Sequence, residues 1–267
     1  MRFRMLGPLE IHDGKGFVPI NGPGQRRLLI LLAINANEAV PVETLVDAMW
    51  GDHPPAAPPH ALHTATTIAR KRLIRCWGRN QSPARIEHLG WAYRLSIMAD
   101  EFDASCFSAL VDRSRRLLKD GDEEIASHVV REALALWRGP ALSGLGEEPA
   151  FQAEANRLES LRFAALELRI DTDLALGRHA ELIGELEALV VVHPFDEGLQ
   201  GRLMLALYRA GRQVEALRVY RTFSHRLEEG LGIEPTPALQ NLEQALLAHR
   251  PSLDMSRVPI GAFEHRG

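Results

Sequence analysis

The stretch PPHALHTATTIARKRL, Pro58 to Leu73, is the most informative about the fold of the first part of the chain. Prolines at 54, 55, 58 and 59 indicate that a turn precedes it, because proline lacks a backbone donor and holds its predecessor extended. The stretch itself has helical spacing, with one largely apolar side and one polar side. The predicted apolar side consists of Leu62, Ala65, Ile68, Ala69, Arg72 and Leu73. Its small alanines predict close packing against other helices.

The opposite side of this predicted helix is polar. It consists of His60, His63, Thr64, Thr67, Arg70 and Lys71. Hydroxyl and imidazole groups can reach base edges, while arginine and lysine neutralise phosphates. An ordinary surface helix would carry glutamate, but no acidic residue occurs between His60 and Gly78. The pattern predicts a DNA recognition helix, and an amphipathic surface helix is the alternative interpretation.

Predicted strands and helices surround this helix in a definite order. Alternating segments on either side of Asp13-Gly14 predict one hairpin, and ARIEHLGWAYRLSI, with Gly90 in its middle, predicts another. Between them, helical spacing predicts helices over QRRLLILLAINAN and over VETLVDAMW, which follows Pro41 and ends at Gly51. Sheet, three helices and hairpin is the order of a winged helix-turn-helix of the response-regulator type, an α+β domain.

Charge is distributed unevenly along the 267 residues, whose net charge is −4. Residues 1–98 carry 12 basic and 7 acidic residues, a net of +5, while residues 99–267 carry 19 and 28, a net of −9. A basic segment joined to an acidic one is typical of a DNA-contacting module linked to a protein-contacting module. Chance segregation is the alternative. We therefore predict a DNA-binding domain over 1–98, a second domain over 99–253 and a disordered tail over 254–267.

The residues after Phe102 predict an all-α second domain, so that the chain as a whole is mainly α. Gly177 and Gly211 are 34 residues apart, and each precedes an arginine and an amphipathic segment. This spacing is the tetratricopeptide period, in which paired helices stack and bind proteins. A helical bundle that only supports the first domain is the alternative interpretation.

Motifs for catalysis, metal binding and membrane insertion are not found in the sequence. ALSGLG lacks the first glycine of a nucleophile elbow, GPGQRR lacks the lysine and hydroxyl of a phosphate loop, and there is no His-Glu-x-x-His. His60 and His63 have no acid or cysteine at ligand spacing. No charged leader and no apolar run of roughly 18 residues occurs. We expect neither an enzyme nor a cofactor, and a cytoplasmic, nucleoid-associated protein.

Eight blocks of sequence match a known order of motifs, and the match spans about Arg2 to Leu253. The first four are FRMLGPLEI, GPGQRRLLILLA, LVDAMWGDHPP and GWAYRL, and the last four are ALALWRGPALSGL, LALGRHAELIGELEALVVVHP, LMLALYRAGRQVEALRVYRTF and LGIEPTPALQNLEQALL. The first group resembles the DNA-binding domain of the Streptomyces antibiotic regulatory proteins. The second group resembles the bacterial transcriptional activation domain that follows it in that family.

This resemblance implies a transcription activator, usually of a secondary-metabolite gene cluster. It implies two partners, which are double-stranded DNA with direct repeats near the promoter and RNA polymerase holoenzyme including its sigma factor. We expect a homodimer on DNA, since one winged domain contacts only a short site. Besides the polar residues of the recognition helix, the resemblance implies four further DNA-binding residues, which are Gln25, Arg26, Thr44 and Arg94.

Two other functions remain open at the level of sequence. A winged-helix repressor whose helical half binds a small effector would need an aromatic-lined pocket, and aromatics make up 6% of the chain. A tetratricopeptide adaptor that does not touch DNA would fail to retain duplex DNA at low salt.

Overall fold

The computed structural model describes residues 3–20, 22–77, 84–143 and 149–253. The chain divides into two compact units, one of Met1–Arg113 with Val129–Ala165 and one of Ser114–His128 with Leu166–Gly267. The division therefore does not coincide with the boundary predicted at Ala99. The extent of the functional domains stays a prediction, and the predicted tail over 254–267 lies outside the described residues.

A small antiparallel sheet opens the first unit. Its strands are β1 (Phe3–Arg4), β2 (Glu10–His12) and β3 (Phe17–Pro19), in the order β1-β2-β3. The predicted hairpin is confirmed, since β2 and β3 pair antiparallel. In its turn, the Asp13 carboxylate accepts hydrogen bonds from the N–H groups of Lys15 and Gly16 at 2.9 and 3.0 Å. The alternating segment before this hairpin is split into β1 and β2 by a turn at Gly7, whose φ of +132° favours glycine.

The rest of the predicted winged helix-turn-helix follows this sheet. Its elements are α1 (Pro23–Ile34), β4 (Val40–Pro41), α2 (Val42–Trp50), α3 (Pro58–Trp77), β5 (Ala84–His88) and β6 (Ala92–Ile97). Helices α1, α2 and α3 pack on one another, and α3 also contacts β5. The second sheet has the antiparallel order β4-β6-β5. Strand β4 was not predicted, because a two-residue strand has no periodicity of its own and is defined by its pairing with β6.

Three helices, α4 (Asp103–Asp120), α5 (Glu123–Leu134) and α6 (Pro149–Ala175), each contribute residues to both units. Asp103, at the start of α4, is fully buried and accepts hydrogen bonds from the N–H groups of Met5 and Leu6 at 2.9 and 3.0 Å. The guanidinium of Arg138 lies 3.6 Å from the same carboxylate. Burial raises the pKa of Asp103, although both amides and Arg138 act in the opposite direction.

These contacts show what the first sheet needs in order to fold. Arg138 also pairs with Glu10 on β2 at 2.7 Å. A fragment that ends at Met98 would lack both Asp103 and Arg138. The buried amides of Met5 and Leu6 would then have lost their acceptor, which is costly inside a protein. The winged domain of this chain therefore depends on residues well beyond 98 for its stability.

The second unit is helical in its described residues. It contains α7 (His179–Val192), α8 (Glu197–Arg209), α9 (Gln213–Leu231) and α10 (Pro237–Leu247). Helix α8 packs between α7 and α9 and is buried from Gly198 to Leu207. Gly177 and Gly211 take nearly the same left-handed conformation, with φ of +79° and +77°, just before α7 and α9. The predicted 34-residue period is therefore a structural repeat of helix, glycine turn and helix.

An arginine on α8 forms a buried ion-pair cluster in this unit. Arg202 donates to both carboxylate oxygens of Asp171 at 2.6 and 2.8 Å and to Glu167 at 2.7 Å. Burial acts to lower the pKa of Arg202, but the two carboxylates outweigh burial and hold it above its usual value. A Cβ at Gly198 would lie 2.9 Å from the Arg202 guanidinium, so glycine leaves the room that this arginine occupies.

Candidate nucleic-acid interface

Helix α3 packs through a narrow buried stripe. The stripe consists of Leu62, Thr66, Ala69 and Leu73, and α3 contacts α1, α2 and β5. The Thr66 hydroxyl donates to the carbonyl of Leu62 at 2.8 Å, which allows a threonine to be buried here. Ile68 was predicted on the buried side, and this placement is wrong: its side chain is 42% exposed. Ile68 directly precedes the buried Ala69, and consecutive residues of a helix are rotated by about 100° around its axis. Ile68 therefore points away from the buried stripe.

The opposite side of α3 brings together most of the residues that were predicted to bind DNA. His60, His63, Thr64 and Lys71 are exposed, and Thr67 is partly exposed. Arg75, one turn after Lys71, is also exposed and extends the basic end of this side. Because α3 contains no acidic residue, its exposed side offers only neutral polar groups and cations to a phosphate backbone.

Thr64 is restricted in the hydrogen bonds that it can form with a base. Its hydroxyl donates to the carbonyl of His60 at 3.0 Å. The hydroxyl proton is therefore used within the helix, while the oxygen lone pairs remain able to accept. In the major groove, the amino groups of adenine and cytosine are the donors that such an oxygen could meet.

Arg70 is only partly exposed, and it joins α3 to the β5–β6 hairpin, which is the wing. Its Nε donates to the carbonyl of Ile86 on β5 at 2.8 Å. Its guanidinium carbon lies 5.9 Å from the ring centre of Tyr93 on β6. The structure thus gives Arg70 a role in positioning the wing, and its predicted contact with phosphate stays a prediction.

Arg94, on the wing, has a carboxylate partner. Its Nε and Nη2 donate to Glu87 at 2.8 and 2.6 Å, and the Ser96 hydroxyl donates to the same carboxylate at 3.1 Å. The hydrogen bond from Arg94 is the main reason that the pKa of Glu87 is lowered. Since Glu87 compensates its charge, Arg94 offers less to a phosphate than Lys71 does, and its predicted DNA contact stays a prediction.

The remaining predicted site residues lie at the starts of two helices. Gln25 and Arg26 are partly exposed in the first turn of α1, and Thr44 is exposed in the first turn of α2. The N–H of Val42 donates to the carbonyl of Trp91 at 3.0 Å, so the start of α2 lies beside the tip of the wing. The N-terminus of a helix favours anions such as phosphate.

Trp91 is a residue of this surface that the sequence analysis did not single out. It lies in the turn between β5 and β6 and is 64% exposed. Gly90 before it has a φ of +85°, as the turn requires. A tryptophan directly after a turn glycine in a predicted hairpin was the available signal, because a hairpin tip has no core in which to bury it.

The described residues contain no group of three or more His, Cys, Asp or Glu side chains that could hold a metal ion. Within the same residues, no helix combines the length and the apolar character that crossing a membrane requires.

Comparisons with known proteins agree with this fold. The family model for the bacterial transcriptional activator domain matches residues 102–247. The chain is 36% identical to the regulatory protein DnrI of Streptomyces peucetius over 98% of each chain. It is also 36% identical to the regulatory protein AfsR of Streptomyces coelicolor, covering 95% of this chain but 25% of AfsR. The solved structure of Mycobacterium tuberculosis EmbR in complex with a low-affinity phosphopeptide superposes with a TM-score of 0.88 and 32% identity, covering 94% of this chain and 65% of EmbR.

These matches confirm the predictions of fold, function and family. The EmbR structure confirms the mainly helical fold with a winged helix-turn-helix at its start. The full-length match to DnrI and the activator-domain match identify a transcription regulator and not an enzyme. The chain belongs to the Streptomyces antibiotic regulatory protein family, whose members activate transcription through a winged helix-turn-helix followed by a bacterial transcriptional activator domain.

Proposed function

We propose that this protein activates a secondary-metabolite gene cluster by inserting α3 into the major groove of promoter DNA. The observation that carries the proposal is the exposed side of α3, which is polar, basic and free of acids. The proposed DNA-binding residues are His60, His63, Thr64, Thr67 and Lys71 on α3, with Gln25, Arg26 and Thr44 at helix starts and Arg70 and Arg94 on or against the wing. Such a protein works at the nucleoid, in the cytoplasm.

We further propose that DNA affinity resides in residues 1–98, with residues 99–253 serving activation. The net charge of +5 in the first segment supports this division. The buried contacts of Asp103 and Arg138 with the first sheet mean that 1–98 still needs its downstream neighbours in order to fold.

Substitutions on α3 are expected to fall into two classes. Lys71→Ala should weaken binding equally on specific and random duplexes and reduce the salt slope by about one unit, because it removes one phosphate contact. Thr67→Ala or His63→Ala should weaken binding to the selected site by roughly 1 to 3 kcal/mol and leave random duplexes unaffected. The measurement is a mobility shift at several salt concentrations, with a duplex enriched from a random pool.

Lys119→Ala is the matched control, since this lysine is exposed but lies on α4. It should change neither the affinity nor the salt slope. Equal losses on specific and random DNA for Lys71, Thr67 and His63 would contradict the assignment of α3 as the recognition helix.

We propose that two protomers bind direct repeats near the promoter and engage RNA polymerase holoenzyme, including its sigma factor, through the second unit. A groove of about 240 Å³ between α7 and α9, with Leu203 and Leu207 of α8 in its lining, supports a protein partner. Val191 and Val192, at the end of α7, are strongly exposed. Apolar surface of this kind is typical of protein contacts.

Run-off transcription with purified polymerase tests both partners together. Transcription should rise with added protein on a template whose repeats are spaced by roughly one helical turn. Insertion of about half a turn between the repeats should abolish this rise, because the second protomer would then face another side of the duplex. A fall in transcription would indicate a repressor, and equal activation from both templates would indicate that one protomer suffices.

A further inference from the structure

An isoleucine interrupts the polar exposed side of α3. Ile68 lies one turn after Thr64 and one turn before Arg72, and its side chain is 42% exposed. Thr64 and Ala65 in the preceding turn have side chains too small to cover Ile68. Within the first three turns of α3, Ile68 is the large apolar side chain that the structure leaves open to solvent.

The chemistry of the major groove limits what such a side chain can contact. Base edges there present donors and acceptors, and the apolar group that they present is the C5-methyl of thymine. A β-branched side chain has one strongly preferred χ1 rotamer in a helix. Ile68 therefore holds its Cγ2 methyl group in a defined position before binding.

We propose that Ile68 selects a thymine in the target site by packing against its C5-methyl group. The inference rests on the proposed function, since it requires α3 to lie in the major groove. Thr64 supports it, because its hydroxyl proton is held by the carbonyl of His60 and its oxygen is left to accept. An A·T pair presents an adenine amino group and a thymine methyl together in the major groove. Thr64 and Ile68 are thus complementary to one such pair.

The test replaces thymine by deoxyuridine, which lacks only the C5-methyl, at one position at a time. The full chain is titrated with the duplex enriched from a random pool and with each substituted duplex. At one thymine the wild-type protein should lose roughly fourfold in affinity, which corresponds to about 0.8 kcal/mol, the value of one buried methyl or methylene group. Ile68→Ala should bind the thymine duplex more weakly and show no further loss with deoxyuridine at that position.

Ile74→Ala is the matched control, because Ile74 is 41% exposed on the last turns of the same helix. It should retain the full sensitivity to deoxyuridine. Ile68→Val, which keeps the branched Cβ, should retain part of it and guards against a folding defect in the alanine variant. Binding without any loss at any thymine, or the same losses in wild type and Ile68→Ala, would overturn this inference while leaving the proposed function intact. Absence of binding to every duplex would instead refute the proposed function.

Discussion

Asp103→Ala is expected to lower the free energy of unfolding of the first unit by about 3 to 5 kcal/mol. The substitution leaves two buried donors, the N–H groups of Met5 and Leu6, without their acceptor. It also removes a negative charge beside Arg138, which keeps its ion pair with Glu10. Binding to DNA should fall along with stability, although Asp103 is not on the exposed side of α3.

Tryptophan fluorescence during urea unfolding measures this effect selectively. The chain has four tryptophans, and all of them belong to the first unit: Trp50, Trp77, Trp91 and Trp137. Asp103→Asn keeps one oxygen acceptor and should lose less than the alanine variant. Asp100→Ala is the control, because Asp100 is exposed only three residues earlier. If Asp103→Ala shifts the unfolding midpoint no more than Asp100→Ala does, the proposed role of Asp103 is wrong.

Arg202→Met is expected to destabilise the second unit by about 3 to 5 kcal/mol. Arg202 is 6% exposed and binds two carboxylates, those of Asp171 and Glu167, through hydrogen bonds of 2.6 to 2.8 Å. Its removal leaves these two partly buried carboxylates without their shared cation. Arg202→Lys should recover only part of the loss, because an ammonium group cannot bind Asp171 in the bidentate manner of a guanidinium.

Hydrogen exchange at the amides of α8 measures this loss. Packing protects the amides of this buried helix from exchange, so a less stable unit exchanges them faster. Arg212→Met is the matched control. Arg212 pairs with Glu215 at 2.7 Å, but both side chains are exposed. Exposed pairs contribute little to stability, so the control should leave exchange in α8 unchanged. Similar exchange in the Arg202 and Arg212 variants would contradict the importance of the buried cluster.

Periodicity and turn residues were sufficient to predict most elements of the fold. The prolines before α3, the helical spacing of α1 to α3 and the glycine of the wing hairpin act locally. Local signals of this kind can be interpreted without knowledge of the rest of the chain. The same holds for Gly177 and Gly211, whose spacing alone revealed the repeated helix pairs.

The parts that could not be predicted depend on hydrogen-bond partners that residue type and periodicity do not reveal. The sequence did not reveal that Arg70 donates to a carbonyl of β5 or that Arg94 donates to Glu87, and the contacts of both arginines with DNA stay predictions. Thr66 is buried because its hydroxyl is satisfied within its own helix, which a polar residue type does not reveal. The role of Asp103 rests on two backbone amides 97 and 98 positions earlier, and amides carry no sequence signal.

The first sheet also bears on the timing of folding during translation. The Arg138 side chain donates to the carbonyl of Pro8, 130 positions earlier, at 3.2 Å. At a synthesis rate of roughly 5 to 20 residues per second, the ribosome needs on the order of 10 s to add the intervening chain. Throughout that interval the opening strands lack the groups that complete their hydrogen bonds. The first sheet therefore cannot complete its hydrogen bonds until Arg138, near the middle of the sequence, has been made.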